Sequence, residues 1–486
     1  MQIPRILVAA PASGSGKTAV SCALMQAFQE RGLCVRACKC GPDYIDPMFH
    51  QTVLGVDSRN LDLFFCSRDG LRNELLLHGE GADLLVTEGV MGYYDGRAMD
   101  TDAGSSYDVA TALDMPVILV INCRGAALSF AAQVLGMIGF RPDSNIRGIL
   151  LNRVSGMLYP RLKTMLVQEL KKEGFDLPVL GYIPEDDAFC IESRHLGLVT
   201  PRELEGLEAR IGRGARILSE TVDLDAILSI ARSAPELTGR EKTGGSGISA
   251  GRAWNDSPGG GGGPVRIGIA RDEAFCFYYK ANLELLEKAG CRLIPFSPLH
   301  DRELPKGLCG LLFGGGYPEL HAPELSGNRQ LREEIRRQVL ERGMPCIAEC
   351  GGFMYLQEEI ADREGKRYPA VGAVPGAACP AGKLKRFGYV NISVAKKSNK
   401  YLKKEETIKG HEFHYWDSTD CGDDCRAQKP DGKRSWNCIH ARGNLFAGYP
   451  HLYLPSLPEF ARRFADTCRE WKAGRGNGGR MYERGI

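Results

Sequence analysis

Two stretches of the chain carry residues whose types and spacing suit covalent chemistry. APASGSGKT at 10–18 follows a short apolar run and combines glycines with a lysine and a threonine. AECGGFMYL at 348–356 places Cys350 between an apolar run and two glycines. The first pattern is typical of a nucleotide phosphate loop, and the second is typical of a thiol nucleophile. The sequence therefore indicates two different reactions in one chain.

The first stretch matches the phosphate-loop pattern GxxxxGK[ST] except that Pro11 replaces the first glycine. Backbone N–H groups of such a loop surround a phosphate anion at the start of a helix. Lys17 would reach the β- and γ-phosphates, and Thr18 would hold Mg²⁺. A glycine-rich turn without nucleotide is the alternative interpretation. The predicted nucleotide-binding residues are Ser13, Gly14, Ser15, Gly16, Lys17 and Thr18.

Acidic residues follow two other strand-like runs and are candidates for the metal. TEGVMGYYDG places Glu88 at the end of a run and Asp95 in the loop after it. KCGPDYIDPMFH places Asp43 and Asp46 in a loop after another short run. Ligands of parallel sheets bind at the carboxyl ends of strands, so these acids are expected beside the phosphate loop. A solvated strand-end acid and a Pro-Asp turn are the alternatives.

Cys350 lies where a strand is expected to turn into a helix. The start of the helix is expected to lower the pKa of the thiol. The glycines would let a substrate carbonyl approach backbone amides, and GGGYPE at 314–319 would supply another amide. A buried cysteine in a glycine turn is the alternative. The predicted oxyanion-hole residues are Gly315, Gly316 and Gly351.

A thiol nucleophile needs a base, and three histidines are candidates. His411 and His414 lie in GHEFHYW, whereas His451 lies in the apolar segment AGYPHLYL. Histidines in such segments are often structural, and spacing alone does not choose among the three.

Composition limits the class of protein. The chain has 486 residues, which predicts two domains, and its net charge of +2 argues against a nucleic-acid surface. The sequence has neither an apolar run long enough to span a membrane nor a convincing signal peptide. The 17 cysteines are scattered through both halves, which favours reduced thiols in a cytoplasm over a disulfide framework.

Short β-branched runs alternate with helical patterns in both halves, which predicts two α/β domains with parallel sheets. A stretch rich in Gly, Ser and charge separates the halves. The predicted boundaries are a phosphate-loop domain at 1–232, a flexible linker at 233–264, a second domain at 265–473 and a disordered tail at 474–486.

The chain resembles the cobyrinate a,c-diamide synthase family over nearly its whole length, apart from the linker and the tail. In the first half, the resemblance rests on APASGSGKT, KCGPDYIDP, NLD at 60–62, EGVMGYYDG and SRHLGLV at 193–199. In the second half, it rests on ARDEAFCFYY, FGGGYPE, AECGGFMYL and GHEFHY. It implies two doubly wound α/β domains: a dethiobiotin-synthetase-like domain with a mostly parallel sheet, then a class I glutaminase-like domain.

The resemblance also implies a reaction, namely amidation of the a- and c-acetate carboxylates of cobyrinic acid with ATP and glutamine as co-substrates and Mg²⁺ as cofactor. Cys350 would then be the nucleophile and His451 its base, although Tyr453 stands where many class I glutaminases have an acid. The implied metal ligands are Thr18, Asp43 and Glu88. The implied substrate-binding residues are Asp43, Tyr44, Ile45 and Asp46.

Several alternatives stay open at this point. Nickel-sirohydrochlorin a,c-diamide synthase shares the expected architecture, whereas cobyric acid synthase fits the GPDYIDP and RHLGLV patterns less well. A non-catalytic tetrapyrrole-binding protein and a ligase that uses free ammonia are further alternatives. A homodimer is the expected assembly. Metal binding is the less favoured interpretation of two cysteine groups: Cys34, Cys38 and Cys40, and Cys421, Cys425, Cys438 and His440.

Overall fold

The structure is a computed structural model and describes residues 1–190, 201–239 and 264–476. The chain divides into two compact units, Met1–Gly247 and Ile248–Ile486. The motif SRHLGLV lies outside the described residues, as do most of the predicted linker and most of the predicted tail.

The first unit is built on one parallel sheet. Its strands are β1 (Arg5–Ala9), β2 (Val35–Cys40), β3 (Ser58–Leu61), β4 (Leu84–Glu88), β5 (Val117–Asn122), β6 (Ile146–Asn152) and β7 (Val179–Ile183). Its helices are α1 (Lys17–Glu30), α2 (Ile45–Leu54), α3 (Arg68–His78), α4 (Ser106–Ala112), α5 (Leu128–Gly139), α6 (Tyr159–Lys172), α7 (Pro201–Thr221) and α8 (Leu224–Arg232). The seven strands are ordered β3-β2-β4-β1-β5-β6-β7, and all neighbouring pairs are parallel.

Helices cover both faces of this sheet, which explains why the strands are apolar on both sides. Along β1, Leu7 belongs to one core, whereas Ile6 and Val8 belong to the other. Phe28 of α1 packs in the second core and Phe130 of α5 in the first. Such two-sided burial is the usual state of a parallel sheet.

The strand order sets the position of the candidate nucleotide site. Because β2, β4 and β1 are adjacent and parallel, the residues that follow them emerge at one edge of the sheet. These residues are the loop after Cys40, the loop after Glu88 and the phosphate loop after Ala9.

The described residues of the second unit form two sheets. Its strands are β8 (Val265–Ala270), β9 (Cys291–Phe296), β10 (Gly310–Phe313), β11 (Cys346–Glu349), β12 (Glu359–Ala361), β13 (Arg367–Pro369), β14 (Ala377–Val394), β15 (Thr407–Ser418), β16 (Cys425–Gln428), β17 (Ser435–Cys438), β18 (Leu445–Gly448) and β19 (His451–Leu452). Its helices are α9 (Lys280–Lys288), α10 (Ala322–Gly327), α11 (Arg329–Arg336), α12 (Gly351–Leu356) and α13 (Pro458–Gly476). One sheet is parallel, with the order β18-β11-β10-β8-β9. The other runs β13-β12-β14-β15-β19, with β16 and β17 attached to β14, and is mainly antiparallel.

The parallel sheet positions the cysteine. Since β10 and β11 are neighbours, the glycine loop after Phe313 and the turn at Cys350 leave the sheet side by side. β18 lies on the other side of β11 and leads directly to β19, which carries His451. The predicted α/β class and the parallel sheets are therefore confirmed. The antiparallel sheet was not predicted, because the long run of β14 is interrupted by glycine, proline and lysine.

No helix in the described part of the chain combines the length and the apolar character that crossing a membrane requires.

Candidate active sites

The phosphate loop joins β1 to α1 through left-handed glycine conformations. Gly14 has φ 74° and Gly16 has φ 93°, a backbone region that favours glycine. A Cβ on Gly16 would lie 2.5 Å from Nδ2 of Asn152. That amide group donates to the carbonyl of Ser15 at 2.8 Å and so fixes the loop from the end of β6. Sequence reasoning missed Asn152, because only the strand order brings it to the loop.

Lys17 lies inside the loop rather than in solvent. Its Nζ donates to the carbonyls of Ala12 (3.0 Å) and Met91 (2.6 Å). Burial, together with the charge of Lys39, lowers its pKa to about 8. The ammonium group is thus held next to two main-chain oxygens, at the place where a phosphate would supply negative charge.

Glu88, at the end of β4, is the centre of the charged network in this unit. Its Oε1 accepts hydrogen bonds from Thr18 Oγ1 at 2.6 Å and from Lys39 Nζ at 2.8 Å. Its Oε2 lies 3.4 Å from Nε2 of His50. Burial alone would raise the pKa of Glu88, but Lys39 and His50 outweigh it and hold the pKa well below the usual range. The structure therefore brings the predicted residues Thr18 and Glu88 together.

Asp46 belongs to the same network through Lys39. The Oδ2 atom of Asp46 lies 2.6 Å from Lys39 Nζ, and both side chains are buried. Burial and the nearby Glu88 raise the pKa of Asp46. Lys39 thus bridges two buried carboxyl groups and offsets their negative charge.

The other predicted substrate-binding residues, Asp43, Tyr44 and Ile45, follow β2 and are half-buried. Oδ1 of Asp43 accepts from the backbone N–H of Ile45 at 2.8 Å and closes a turn before α2. Asn60 Nδ2 donates to the carbonyl of Asp43 at 2.6 Å and anchors the loop to β3. Tyr44 and Ile45 stand at the start of α2. Asp95 lies further along its own loop, where Oδ2 accepts from Gly92 N at 2.7 Å.

Sequence reasoning missed Lys39 and His50, although they are the first and last residues of KCGPDYIDPMFH. Lys39 lies inside a strand and His50 on a helix, and neither adjoins another charged residue in the chain. The local sequence therefore did not indicate that they belong to a site. Both become recognisable only when β2, β4 and α2 converge on Glu88.

The donors at this edge fit Mg²⁺, which prefers hydroxyl, carboxylate and phosphate oxygens. In residues 1–190, 201–239 and 264–476, no three His, Cys, Asp or Glu side chains are arranged to hold a metal ion by themselves. A magnesium ion at Thr18 and Glu88 would therefore depend on nucleotide phosphates for further ligands, as is usual for Mg²⁺.

Cys350 occupies a strained turn between β11 and α12. Its backbone has φ 48° and ψ −108°, which is unusual for a residue with a side chain. Its N–H donates to the carbonyl of Gly448 at 2.9 Å, which ties the turn to β18. A nucleophile on a sharp strand-to-helix turn is a recurrent arrangement in hydrolases with parallel sheets.

The two predicted oxyanion loops meet beside Cys350. The N–H of Gly352 donates to the carbonyl of Gly314 at 2.9 Å. A Cβ on Gly351 would lie 3.0 Å from the backbone nitrogen of Gly316 and 2.8 Å from Cδ of Pro318. Glycine at 351 therefore permits a close approach of the two loops, and the amides of Gly316 and Gly351 are brought together.

His451 lies against the same glycine loop. A Cβ on Gly315 would stand 2.4 Å from its Cε1 atom and 3.3 Å from its Nε2 atom. In the antiparallel sheet, His451 is opposite His411. Burial and the neighbouring His411 and His414 lower the pKa of His451 to about 3. The imidazole is therefore neutral at pH 7 and available to accept a proton.

The other two histidines are engaged differently. Nδ1 of His414 lies 2.6 Å from the carbonyl of Trp416, and its Nε2 lies 3.0 Å from Oε2 of Glu412. The ring is also stacked on Tyr449 with the centroids 4.0 Å apart. Both ring nitrogens of His414 thus have partners. His451 is favoured as the base because it lies against the glycine loop that adjoins the Cys350 turn. His411 packs edge-on against Phe387 and Tyr389.

The expectation that the helix lowers the pKa of Cys350 is wrong. Burial raises the pKa of this thiol, and the carboxyl groups of Glu319, Glu412 and Glu349 raise it further, whereas the N–H of Gly351 only partly compensates. The thiol is 6% exposed, and α12 is a single short helix. Activation of the thiol therefore depends on proton transfer to a base.

Most cysteines of the two groups are buried on strands. Cys425 and Cys438 are opposite each other on β16 and β17, and both are buried. Sγ of Cys421 lies 3.3 Å from Nη1 of Arg386. Cys38 and Cys40 are buried on β2, and Cys34 is exposed just before it.

Known proteins match both units. Residues 6–198 match the CobQ/CobB/MinD/ParA nucleotide binding domain, and residues 266–457 match the CobB/CobQ-like glutamine amidotransferase domain. A cobyrinate a,c-diamide synthase of Caldanaerobacter subterraneus is 37% identical over 95% of this chain and 98% of its own length. Those of Listeria innocua and Methanobrevibacter smithii are each 38% identical, over 93% and 96% of this chain and 97% and 99% of their own lengths. The chain belongs to the cobyrinate a,c-diamide synthase family.

Proposed function

We propose that this protein uses ATP and glutamine to amidate the a- and c-acetate carboxylates of cobyrinic acid in cobalamin biosynthesis. The observation that carries the proposal is the pairing, in a chain of this family, of a phosphate loop next to Glu88 with a Cys350 turn next to His451. An ATP site without the thiol would not explain the second unit, and a glutaminase without ATP would not explain the first.

Ammonia is released in the second unit. The Cys350 thiol gives its proton to Nε2 of His451 while the sulfur attacks the side-chain amide carbon of glutamine. The amide oxygen becomes an oxyanion, which backbone N–H groups among Gly315, Gly316 and Gly351 stabilise. His451 returns the proton to the departing nitrogen, and ammonia leaves a thioester. Water then hydrolyses the thioester to glutamate and restores the thiol.

The carboxylate is activated in the first unit, because a carboxylate is a poor electrophile at neutral pH. A carboxylate oxygen attacks the γ-phosphorus of ATP, ADP leaves, and an acyl phosphate forms. Ammonia then attacks the acyl carbon, and inorganic phosphate leaves with the former carboxylate oxygen. Mg²⁺, held by Thr18 and Glu88 with Asp43 nearby, would neutralise phosphate charge when bound. Lys17 would bind the β- and γ-phosphates, together with the loop residues from Ser13 onward.

The half-buried loop after β2 is proposed to meet the corrinoid. Tyr44 and Ile45 stand at the start of α2, the helix whose His50 reaches Glu88, so they are suited to contact the macrocycle near the phosphoryl group. Asp46, paired with Lys39, would position that cation close to the carboxylate being phosphorylated. A homodimer in a cytoplasmic setting is the proposed state of the enzyme.

The test is incubation of the purified protein with ATP, Mg²⁺, glutamine and cobyrinic acid, followed by mass spectrometry of the corrinoid. Two successive exchanges of a hydroxyl for an amino group, each dependent on ATP, are expected. If the protein amidates nickel-sirohydrochlorin but not cobyrinic acid, the proposed mechanism stands and the proposed substrate and pathway are wrong. Nucleotide binding without turnover of either macrocycle would contradict the catalytic proposal. Light scattering of the same preparation tests the homodimer.

A further inference from the structure

One buried acid in the second unit has no role in the reaction as described so far. Glu349 is the last residue of β11 and directly precedes Cys350. Its Oε1 accepts from the backbone N–H of Leu452 at 3.3 Å, and its Oε2 lies 3.9 Å from Nδ1 of His451. One carboxyl group thus faces both residues of β19.

Two other positions from which a side chain could orient His451 are Tyr453 and Glu412. Tyr453 stands two residues after His451 and is buried, with its ring packed edge-on against Tyr279 at 5.7 Å between centroids. Glu412 accepts from Nε1 of Trp436 at 3.1 Å and pairs with His414. Each is therefore occupied elsewhere, whereas Glu349 is directed at Nδ1.

The two ends of the imidazole have different surroundings. Nδ1 of His451 faces Glu349. Its Cε1 and Nε2 atoms face Gly315. The ring therefore extends from the carboxyl group toward the oxyanion loop that adjoins Cys350. This is the orientation in which Nε2 serves as the proton acceptor while Nδ1 carries the other proton.

We propose that Glu349 is the positioning residue of the glutaminase site: it accepts the Nδ1 proton of His451 in a hydrogen bond and so makes Nε2 the proton acceptor for the Cys350 thiol. The proposal rests on the proposed function, since it assigns an orienting group to the base of that reaction. At 3.9 Å the contact is an ion-pair distance, and catalytic hydrogen bonds commonly shorten to hydrogen-bond length when substrate binds. In hydrolase triads, an aspartate fixes the tautomer of the histidine in the same way, by accepting its Nδ1 proton in a hydrogen bond.

The charge of Glu349 gives the proposal a pH signature. Burial raises the pKa of Glu349 to about 8, so below that pH the carboxyl group is protonated and is a weaker acceptor for Nδ1–H than the carboxylate. As pH rises through this value, the carboxylate forms and the productive tautomer is stabilised, so glutaminase turnover increases. Tyr278 and Cys350 face Glu349, and His411 and His414 face His451. Glu319 and Glu412 act on the neighbouring thiol of Cys350.

The experiment measures glutamine hydrolysis by the full chain across pH 6 to 9.5 for wild type, Glu349→Gln, Glu349→Asp and Glu364→Gln, an exposed control in the same unit. Glu349→Gln is expected to lower kcat by roughly 10²-fold or more, with little change in KM, and to abolish the rise toward pH 8, because an orienting acid acts on proton transfer. Glu349→Asp should restore part of kcat together with a pH-dependent limb. Tryptophan fluorescence, which reports the second unit, verifies that each variant is folded.

The outcomes separate this proposal from the proposed function. If Cys350→Ala still hydrolyses glutamine, the proposed function itself fails. If Cys350→Ala is inactive while folded Glu349→Gln keeps kcat within about twofold and retains the pH limb, the positioning role is overturned and the proposed function stands. Two further outcomes would also overturn the positioning role. One is a Glu349→Gln variant that loses kcat but keeps the wild-type rise of kcat with pH. The other is a Glu349→Asp variant that loses kcat and shows no rise of kcat with pH.

Discussion

The two candidate sites hold buried charge in opposite ways. At the edge of the first unit, Glu88 is fully buried but has Lys39, Thr18 and His50 around it, and its pKa is held low. At the turn of the second unit, burial raises the pKa of Glu349 to about 8 and lowers that of His451 to about 3. Glu88 is therefore ionised at pH 7, whereas Glu349 and His451 are mostly neutral.

This difference matches what each reaction needs. Phosphoryl transfer needs fixed charges in place before the nucleotide arrives, because its catalysis is mainly positioning and electrostatic stabilisation. Thioester formation needs a proton to move from sulfur to nitrogen. Burial keeps the Cys350 thiol and the His451 imidazole neutral, so this charge separation is unfavourable until substrate is bound. The comparison indicates that each site can be disabled without disabling the other.

The largest effect is expected for Cys350→Ala. Glutamine hydrolysis and glutamine-driven amidation should fall by roughly 10⁴-fold or more, because removal of a nucleophile leaves only binding and oxyanion stabilisation. Amidation driven by added ammonium chloride should continue, since the first unit keeps its charged network. Product mass with each nitrogen source is the measurement. Cys379→Ala, a half-buried thiol on β14, is the control, and loss of ammonia-driven turnover would contradict independent sites.

Glu88→Gln is the corresponding change in the first unit. Amidation should fall by roughly 10²- to 10³-fold with either nitrogen source, because Thr18 and Lys39 lose their common carboxylate and the electrostatic stabilisation that it provides. Glutamine hydrolysis measured without corrinoid should stay at the wild-type level. The matched control is Glu74→Gln, which removes a carboxylate paired with Arg59 in the same unit. Equal losses in both variants would mean that any charge change disables the unit.

The sequence predicted residues that lie next to each other in the chain better than residues that meet through the fold. Lys17, Thr18 and Cys350 sit in patterns whose backbone conformation follows from neighbouring glycines, so their positions were recognisable. Lys39 reaches Glu88 only because β2 lies beside β4, and strand order is not readable from the residues. Glu349 reaches His451 for a similar reason, through β11, β18 and β19.

The choice among three histidines and the ionisation of the thiol also depended on tertiary structure. His414 was excluded by partners at both nitrogens, Trp416 and Glu412. Both partners lie on its own strand β15, which belongs to the antiparallel sheet that the sequence did not predict. The pKa of Cys350 was predicted in the wrong direction, because a helix start was assigned more influence than burial among carboxyl groups. Local sequence indicates which residue types are present, but burial decides their charge.

A smaller effect is expected for Gly315→Ala. The added Cβ would stand 2.4 Å from Cε1 of His451, so the imidazole must shift. Displacement of a catalytic group by about 1 Å costs on the order of 10²-fold in turnover, so glutamine hydrolysis should fall by about that factor while ammonia-driven amidation is kept. Gly327→Ala has nothing within 4 Å of the added Cβ and is the control. If Gly315→Ala hydrolyses glutamine at the wild-type rate, His451 is not the base.

The smallest effect is a pH dependence of nucleotide binding. Burial lowers the pKa of Lys17 to about 8 in the nucleotide-free protein, and bound phosphate would raise it again. Above pH 8, binding must therefore take up a proton, and affinity for MgADP should fall by up to about tenfold per pH unit. The nucleotide-free fold should show the opposite trend. Its lysine releases a proton at lower pH than the unfolded chain does, so the contribution of Lys17 to stability increases as pH rises through this range.

Titration calorimetry in two buffers of different ionisation enthalpy measures the proton uptake directly. Lys17→Arg is the informative variant, because a guanidinium group stays charged through this range and should remove the uptake even if it weakens binding. Uptake that is absent from wild type above pH 8, or that persists in Lys17→Arg, would assign the titration to another group. In the first outcome, Lys17 would be charged before nucleotide arrives, and the contrast between a preformed ionic site and a neutral thiol site would become sharper still.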